Sequence, residues 1–360
     1  MPADRLTSRD RSPLHQPDPG RVESAVMRVL TGTAITDAAS SAGLDPAELT
    51  TAVALYRQAG RDALHQQTAR TCWQAYIEFD DWSTAETVAA LHLAPALHEA
   101  ESNGAAWWFI RKYPCWRLRI HHDPRRGDSP AMVIAALDAL TSSGEIKRWW
   151  RGLYEPEVPA FGGHGAMAAA HALFHADSRA ILDHATDQPW PLGRRELSVL
   201  LCTTMFHAAG LEWYEMGDVW EQVSQERALP NDLPEDWLPR MGNNIRQLLL
   251  ADTEPAGALF RDGGPGAFAA RWGEAFRQAG ADLGAGARAG ELERGIRRVL
   301  AYHVIFHWNR LGLTAGAQAV LARAAAHAVL GGLGETPERE AFPPGAEVVP
   351  PQHPAPTGTC

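Results

Sequence analysis

The stretch that decides the fold is residues 107–119, which read Trp107-Trp108-Phe109-Ile110-Arg111-Lys112-Tyr113-Pro114-Cys115-Trp116-Arg117-Leu118-Arg119. Its aromatic and branched residues predict two strands, 107–112 and 116–122, separated by the Tyr113-Pro114-Cys115 turn. Alternate side chains of a strand point to one face of the sheet. Arg117 and Arg119 are therefore expected on the same face, and we expect Arg111 on the neighbouring strand to join them.

Clustered guanidinium groups on one sheet face predict a carboxylate or oxyanion site, because each offers a planar fork of hydrogen-bond donors. The alternative is a solvent-facing basic stripe that pairs with nearby acids such as Glu78 and Asp80. Exposed ion pairs contribute little to stability and need no function. The sequence pattern leaves both interpretations open.

Outward from this pair, the pattern predicts one more strand on each side, over 73–79 and 146–154. Helices are predicted between the strands, over 83–101 and from Ser129-Pro130 to about 144, where the Ser-Pro pair supplies N-cap and N1 residues. Pro95 is expected to kink or split the first helix. The order β-α-β-β-α-β predicts a ferredoxin-like mixed sheet, an architecture that hosts many functions.

A mainly helical half follows the sheet. Helices are predicted over 164–184, 194–227, 240–251, 265–282 and 290–332, with Gly, Pro and Asp clusters between them. The fold class is therefore α+β, with one domain over 71–334. Residues 1–20 and the Pro-rich tail 336–360 are predicted to be disordered.

A small helical unit over 21–69 precedes the sheet and resembles a helix-turn-helix. Its third helix begins at Asp45-Pro46, with Asp45 as the N-cap and Glu48 able to close a capping box. Arg57 is the only cation on that helix before Gly60. DNA binding is disfavoured, because a recognition helix needs cations to neutralise phosphates.

Composition excludes several classes of protein. The 360 residues carry a formal net charge of -10, which makes nucleic-acid binding unlikely. No apolar run approaches the roughly 20 residues that span a bilayer. The four cysteines are scattered, which is typical of a reduced cytoplasmic protein. The 13 tryptophans have no explanation in composition alone.

Motif searches predict neither a metal nor a cofactor. Two H-x-x-x-H pairs, His171/His175 and His303/His307, each lie on one helix face, but neither has the Glu of H-E-x-x-H or a third ligand. The chain also lacks a nucleophile elbow, a P-loop and a dinucleotide fingerprint. These histidines are more typical of a helix core or interface than of a metal site.

Four strings, in order, carry a family resemblance. They are Trp108-Phe109-Ile110-Arg111 with Arg117-Leu118-Arg119; Tyr154 with Glu157 and Phe161-Gly162-Gly163; Leu173-Phe174-His175-Ala176-Asp177-Ser178; and His307-Trp308-Asn309-Arg310-Leu311. Over about 73–332 the chain resembles thiopeptide-type bacteriocin biosynthesis proteins, stand-alone relatives of the C-terminal elimination domain of lantibiotic dehydratases. The helical unit 21–69 lies outside the resemblance.

The resemblance implies a tailoring enzyme that acts on a leader-bearing, ribosomally made precursor peptide. The family's general chemistry eliminates glutamate from glutamylated Ser or Thr, which leaves a dehydroamino acid. One alternative is a formal [4+2] cycloaddition of two dehydroalanines with leader release (pyridine synthase). Another is a non-catalytic subunit that presents the precursor to a partner dehydratase. Self-association also stays open.

Elimination needs a base for the α-proton and cations for the enolate. The resemblance therefore implies catalytic roles for Arg111, Arg117, Arg119, His303 and His307. Substrate contacts are expected from the remaining motif residues, with Trp-rich surroundings lining a peptide groove. These residues are Trp108, Tyr154, Glu157, Phe161, Asn309 and Arg310.

The chain departs from the elimination pattern at two positions. Ala160-Phe161 stands where the family has Arg-Tyr before Gly-Gly, and Ile305 stands where the family has a His four residues before the Asn. An offset of two residues on a helix turns a side chain by roughly 160°. His303 and His307 therefore do not inherit the role of the missing histidine, which raises the cycloaddition alternative.

Overall fold

The computed structural model describes residues 18–70, 72–123, 125, 129–185 and 191–331, without the side chains of 61, 62 and 64–70. The segments predicted to be disordered, 1–20 and 336–360, lie outside the described residues except for 18–20. The first helix already begins at Pro19. No helix within the described ranges has the length and apolar character needed to cross a membrane.

The N-terminal unit contains three helices: α1 (Pro19–Leu30), α2 (Ile35–Ala42) and α3 (Pro46–Arg70). The predicted cap of α3 is confirmed, because an Oδ1 atom of Asp45 accepts from the N–H groups of Ala47 at 2.8 Å and Glu48 at 3.2 Å. The unit has an apolar cluster of its own. Its buried members are Ala25, Val26, Ala38, Ala39, Leu49 and Val53.

The sheet has four strands: β1 (Cys72–Phe79), β2 (Ala106–Lys112), β3 (Cys115–His121) and β4 (Ile146–Gly152). Their spatial order is β2-β3-β1-β4, and every neighbouring pair is antiparallel. The predicted mixed sheet is therefore wrong. The reason is that β3 lies between β1 and β2, and β1 lies between β3 and β4, so neither pair of strands that run in the same direction becomes neighbours.

Two helical crossovers cover one face of the sheet. The first consists of α4 (Ala85–Val88), a π-helical turn (Ala89–Leu93) and α5 (Ala94–Ser102); the second is α6 (Ser129–Ser143). The expected split at Pro95 is confirmed, because the π-helical turn ends just before it and proline lacks the N–H that continues a helix. The buried strand residues beneath these helices include Trp107, Phe109, Trp116 and Leu118.

In the described part of the second half there are seven α-helices: α7 (His164–Asp183), α8 (Arg194–Ala209), α9 (Trp213–Gln225), α10 (Trp237–Leu249), α11 (Ala270–Arg288), α12 (Ile296–Leu311) and α13 (Ala315–Leu330). The α+β class is confirmed. The predictions of single helices over 194–227 and 290–332 are wrong, because Gly210 and Gly312 adopt φ of 84° and 82° and end α8 and α12.

Helix α7 covers β2, which is an edge strand of the sheet. The Nδ1 atom of His175 lies 2.8 Å from the carbonyl oxygen of Trp107. The hydroxyl of Ser178 accepts from the N–H of Phe109 at 3.1 Å. Side chains of α7 thus satisfy backbone groups that an exposed edge would leave unpaired. The contact fixes α7 beside the sheet, where it forms a wall of one of the two cavities described below.

Candidate functional site

The predicted arginine pair shares one face of the sheet. Arg117 lies opposite Tyr76 of β1, and Arg119 lies opposite Gln74 of the same strand. Arg111 of β2 lies opposite Trp116, so its side chain projects from the other face. The expectation that Arg111 joins the pair on one face is therefore wrong. Its guanidinium forms an ion pair with Glu86.

Arg119 is buried, with 3% of its surface exposed. Its Nε donates to Oε1 of Gln74 at 2.8 Å, and its guanidinium lies 4.6 Å from the ring centroid of Tyr154. Burial lowers the pKa of Arg119, and the neighbouring Tyr154 and Glu157 oppose this shift. Among the described residues, no carboxylate forms an ion pair with Arg119. The buried guanidinium is thus a cation whose remaining N–H groups are available to a ligand.

Arg117 is half-buried, and its guanidinium lies 5.3 Å from the ring centroid of Tyr76. Glu78, one of the acids that could have paired with a basic stripe, contacts Lys147 at 3.2 Å and Arg148 at 2.7 Å instead. Within the part of the chain that the structure describes, Arg117 also has no carboxylate partner. The paired-stripe interpretation therefore fits Arg148, which pairs with Glu78, but it does not describe Arg117 and Arg119.

The two arginines open into a cavity of about 820 Å³, which we call the arginine cleft. It lies between the β2–β3 hairpin, the loop after β4, and helices α12 and α13. Residues of special interest along its wall are Arg111, Arg117, Arg119, Glu157, Ile305 and Asn309. The Oε2 atom of Glu157 is buried and has no hydrogen-bond partner among the described residues. The cleft therefore combines cations with one unpaired carboxylate oxygen.

His303 and His307 do not reach the arginine cleft. Both are fully buried, and burial together with Arg310 lowers the pKa of His303 to about 3. The Nδ1 atom of His307 lies 2.9 Å from Oδ1 of Asp177, and Nε of Arg310 donates to Oδ2 of the same carboxylate at 2.6 Å. The structure thus places His307 and Arg310 in a buried network that joins α12 to α7, away from the arginine cleft, and the roles predicted for them and for His303 stay predictions.

The other side of α12 does face the cleft. Ile305 and Asn309 are one helical turn apart and both line it. Oδ1 of Asn309 accepts from Nε2 of Gln318 at 2.9 Å. The position that holds a histidine in the elimination pattern thus reaches the cleft, but it presents an isoleucine. An imidazole is missing from the place where that pattern would put one.

Phe161, expected to contact substrate, is fully buried. Its ring centroid lies 5.2 Å from Phe174, 4.9 Å from His303 and 4.9 Å from Phe306. Phe306 lines the arginine cleft, so Phe161 supports its wall from behind. The structure therefore places Phe161 behind the cleft wall, and its predicted contact with substrate stays a prediction.

Trp108 and Tyr154 line a second cavity of about 570 Å³, which we call the histidine cavity. Four histidines also line it: His121, His164, His171 and His175. The hydroxyl of Tyr154 lies 2.7 Å from Nε2 of His171. No group of three or more His, Cys, Asp or Glu residues in the described ranges is arranged to hold a metal ion.

The sequence analysis predicts no supporting role for three residues that hold the site together. Gln74 holds Arg119, Glu86 holds both Arg111 and Arg194, and Asp177 holds His307 and Arg310. Asp177 also accepts from Nε1 of Trp272 at 2.9 Å. A signal existed only for Asp177, an ionisable residue inside an otherwise apolar helical stripe. Gln74 and Glu86 become visible only when the strands and helices are assembled.

Comparison with solved structures finds matches of low sequence identity that cover about three quarters of this chain. The tRNA-dependent lantibiotic dehydratase MibB from Microbispora sp. 107891 matches with a TM-score of 0.58 and 17% identity, over 73% of this chain and 28% of MibB. TsrL matches with a TM-score of 0.52 and 18% identity, over 72% of this chain and 95% of TsrL. TbtD, a pyridine synthase from thiomuracin biosynthesis, has a TM-score of 0.47 and 13% identity, over 72% of this chain and 98% of TbtD.

The sequence identifies the family itself. The profile described as Lantibiotic biosynthesis dehydratase C-term matches residues 73–329, most of the chain. The chain therefore belongs to this family, among proteins that build ribosomally synthesised, modified peptides. It spans little more than a quarter of the length of MibB. Comparison with curated proteins finds none that matches it significantly.

Proposed function

We propose that the chain removes glutamate from glutamylated Ser or Thr residues of a leader-bearing precursor peptide, with the arginine cleft as the active site. The observation that carries the proposal is the composition of this cleft. Arg117 and Arg119 lack carboxylate partners among the described residues, and Glu157 presents an unpaired buried oxygen in the same cavity. This is the charge arrangement that proton abstraction next to a carbonyl requires.

In the proposed reaction, Glu157 takes the α-proton of the glutamylated residue. The electron pair from the Cα–H bond passes through an enolate, whose oxygen Arg119 stabilises, and becomes the Cα=Cβ double bond. The Cβ–O bond breaks at the same residue, and glutamate leaves as a carboxylate that Arg117 binds. No cofactor or metal takes part, and a dehydroamino acid remains in the peptide.

A partner dehydratase would supply the glutamylated peptide. We assign recognition of the leader to the N-terminal unit 21–69, which we interpret as helix-turn-helix-like, and catalysis to the ferredoxin-like sheet and the helices behind it. The unit has its own apolar cluster and lies outside the family match.

Deletion of residues 18–70 tests this assignment. Affinity for the precursor should fall, while elimination from a leaderless peptide persists. Unchanged affinity contradicts the assignment.

Ile305 favours a second candidate, the [4+2] cycloaddition of two dehydroalanines with leader release. With an isoleucine at the cleft-facing position, the wall offers apolar contact to two dehydroalanines and no imidazole for proton transfer. A third candidate is a non-catalytic subunit that presents the precursor to the dehydratase. The three differ in the mass change that each would cause.

Mass spectrometry of two substrates separates the candidates. The purified chain is incubated with a precursor peptide that carries O-glutamyl serine, and separately with the dehydrated peptide. Loss of glutamate supports elimination, whereas leader release with a pyridine chromophore supports cycloaddition. Peptide binding with no mass change in either sample supports presentation and contradicts both chemistries.

The proposed base is tested by Glu157→Gln. Loss of a general base is expected to slow elimination by about 10²–10⁴-fold, with peptide affinity retained. The matched control is Glu155→Gln, which changes an exposed carboxylate of the same loop that lines neither cavity. Equal rates for the two variants would remove Glu157 from the mechanism.

A further inference from the structure

The loop after β4 separates the two cavities. Tyr154, Pro156 and Val158 line the histidine cavity, whereas Glu157 lines the arginine cleft. The guanidinium of Arg119 lies 4.6 Å from the ring centroid of Tyr154, so one aromatic ring stands between the cation and the second cavity. When the reacting residue of a peptide lies beside Glu157, the histidine cavity is therefore separated from it by this one loop.

The wall of the histidine cavity combines aromatic rings with small side chains. The ring centroid of Trp108 lies 5.6 Å from Tyr154 and 4.9 Å from His171. On α7, the helix that carries His171, Ala168 and Ala172 also line the cavity; both are exposed and lie one helical turn apart. The alanines leave open space that the rings border. A volume of about 570 Å³ lies within the usual size range of small-molecule pockets, about 300–1,000 Å³.

Several ionisable groups of this cavity are neutral at neutral pH. Burial lowers the pKa of His171 to about 4, aided by the charges of His121 and Arg119. Burial also lowers the pKa of His121 and raises the pKa of the Cys72 thiol to about 12. The carboxylate of Glu101 contacts His175 at 3.7 Å, but it is itself ion-paired with Arg179. The cavity therefore offers little to compensate a buried charge on a ligand.

We propose that the histidine cavity binds an uncharged aromatic side chain of the precursor peptide, close in sequence to the residue modified in the arginine cleft. This inference rests on the proposed function for the identity of the ligand, but not for its chemistry. Aromatic rings in edge and face contact recognise a ring better than an aliphatic chain of equal area. The cavity thereby selects which Ser or Thr of the peptide is presented to the cleft.

Binding of indole to the full chain tests the chemistry of the cavity without a peptide. Titration calorimetry is expected to show that indole binds at least tenfold more tightly than tryptamine and indole-3-acetate, which add one positive or one negative charge to the same ring. Equal affinities for the three probes, or no binding of indole, would overturn the inference.

Ala168→Phe locates the site. Because Ala168 is exposed, a larger side chain can enter the cavity mouth without disturbing the core. We expect at least a tenfold loss of indole affinity, whereas Ala169→Phe, on the same helix but outside the cavity wall, binds indole as the parent chain does. Indole binding that survives in Ala168→Phe would overturn the assignment. Ala172→Phe repeats the test if the first variant unfolds.

Peptide kinetics separate this inference from the proposed function. With a glutamylated peptide that has an aromatic residue near the modified serine, Ala168→Phe should raise KM at least tenfold and leave kcat unchanged. Elimination by a chain that does not bind indole would overturn the cavity inference alone. Indole binding by a chain that never releases glutamate would overturn the proposed reaction and leave the cavity as a ring-binding site.

Discussion

The arginine cleft and the histidine cavity share a loop, yet their buried basic groups carry different charges. Burial lowers the pKa of both Arg119 and His171, but only His171 becomes neutral. Arg119 is more deeply buried than His171, but arginine keeps its proton because its ordinary pKa lies far above neutral pH. Histidine starts near 6.5, so burial is sufficient to make it neutral at physiological pH. Residue type, rather than the degree of burial, therefore makes one region cationic and the other uncharged.

The largest expected effect is on stability, and it comes from Asp177, which holds together the helices behind the cleft and the cavity. Asp177 anchors α12 to α7, the helix that also forms one wall of the histidine cavity. Asp177→Asn leaves the buried Arg310 without its carboxylate, and we expect a loss of about 3–5 kcal/mol in the free energy of unfolding. Urea denaturation measures it. Asp183→Asn, an exposed position on α7, should cost less than about 1 kcal/mol; equal losses would contradict a shared support.

Arg119→Gln should affect only the cleft. Removal of one preorganised donor to the enolate is expected to slow glutamate elimination by about 10²–10³-fold. Indole affinity should stay unchanged, because the ring of Tyr154 lies between Arg119 and the cavity. The control is Arg148→Gln, an exposed arginine of the same sheet face that is paired with Glu78. Retained elimination in Arg119→Gln would show that the reaction does not use this cation.

His171→Gln, a substitution in the wall of the histidine cavity, should change how the free energy of unfolding depends on pH. The pKa of His171 is about 4 in the folded chain, so the folded state binds fewer protons than the unfolded state below pH 6.5. Stability is therefore lost as pH falls, by about 1–2 kcal/mol between pH 7 and pH 5. Urea unfolding at both pH values should show this loss reduced in His171→Gln. The exposed His92→Gln should retain the parent dependence; parallel curves for all three would contradict a neutral His171.

The smallest effect is expected from Arg117→Gln. Arg117 is half-buried and open to solvent screening, so its interaction with a carboxylate is weaker than that of a buried cation. A loss of about tenfold in kcat/KM is expected, roughly the worth of one charged hydrogen bond. Steady-state kinetics with the glutamylated peptide measure it. A loss greater than that of Arg119→Gln would reverse the roles proposed for the two arginines.

Strand periodicity was sufficient to predict that Arg117 and Arg119 share a face, because that depends only on spacing within one strand. The position of Arg111 depends on the hairpin register. The two-residue turn Tyr113-Pro114 pairs Lys112 with Cys115, so odd positions of β2 share a face with even positions of β3. This parity is readable in the sequence once the turn is known to contain two residues rather than three.

Other features depend on packing that the sequence does not display. His303 and His307 lie on a helix that is buried on that face, and helical spacing alone does not distinguish a buried stripe from one that lines a cleft. Likewise, Gly210 and Gly312 end their helices, whereas Gly217 lies within α9. The sequence shows a glycine both where a helix ends and where it continues. The left-handed backbone conformation that ends a helix is visible only in the folded chain.

The loop from Tyr154 to Val158 sends neighbouring residues to opposite compartments, and this has a consequence for how the protein can change. A substitution at Glu157 or Val158 alters one compartment, whereas a substitution at Tyr154 reaches both, because its ring also contacts Arg119. A one-residue insertion or deletion after Tyr154 would displace the residues that follow it on both sides of the loop, so the two compartments would change together. The loop can therefore vary in composition more readily than in length.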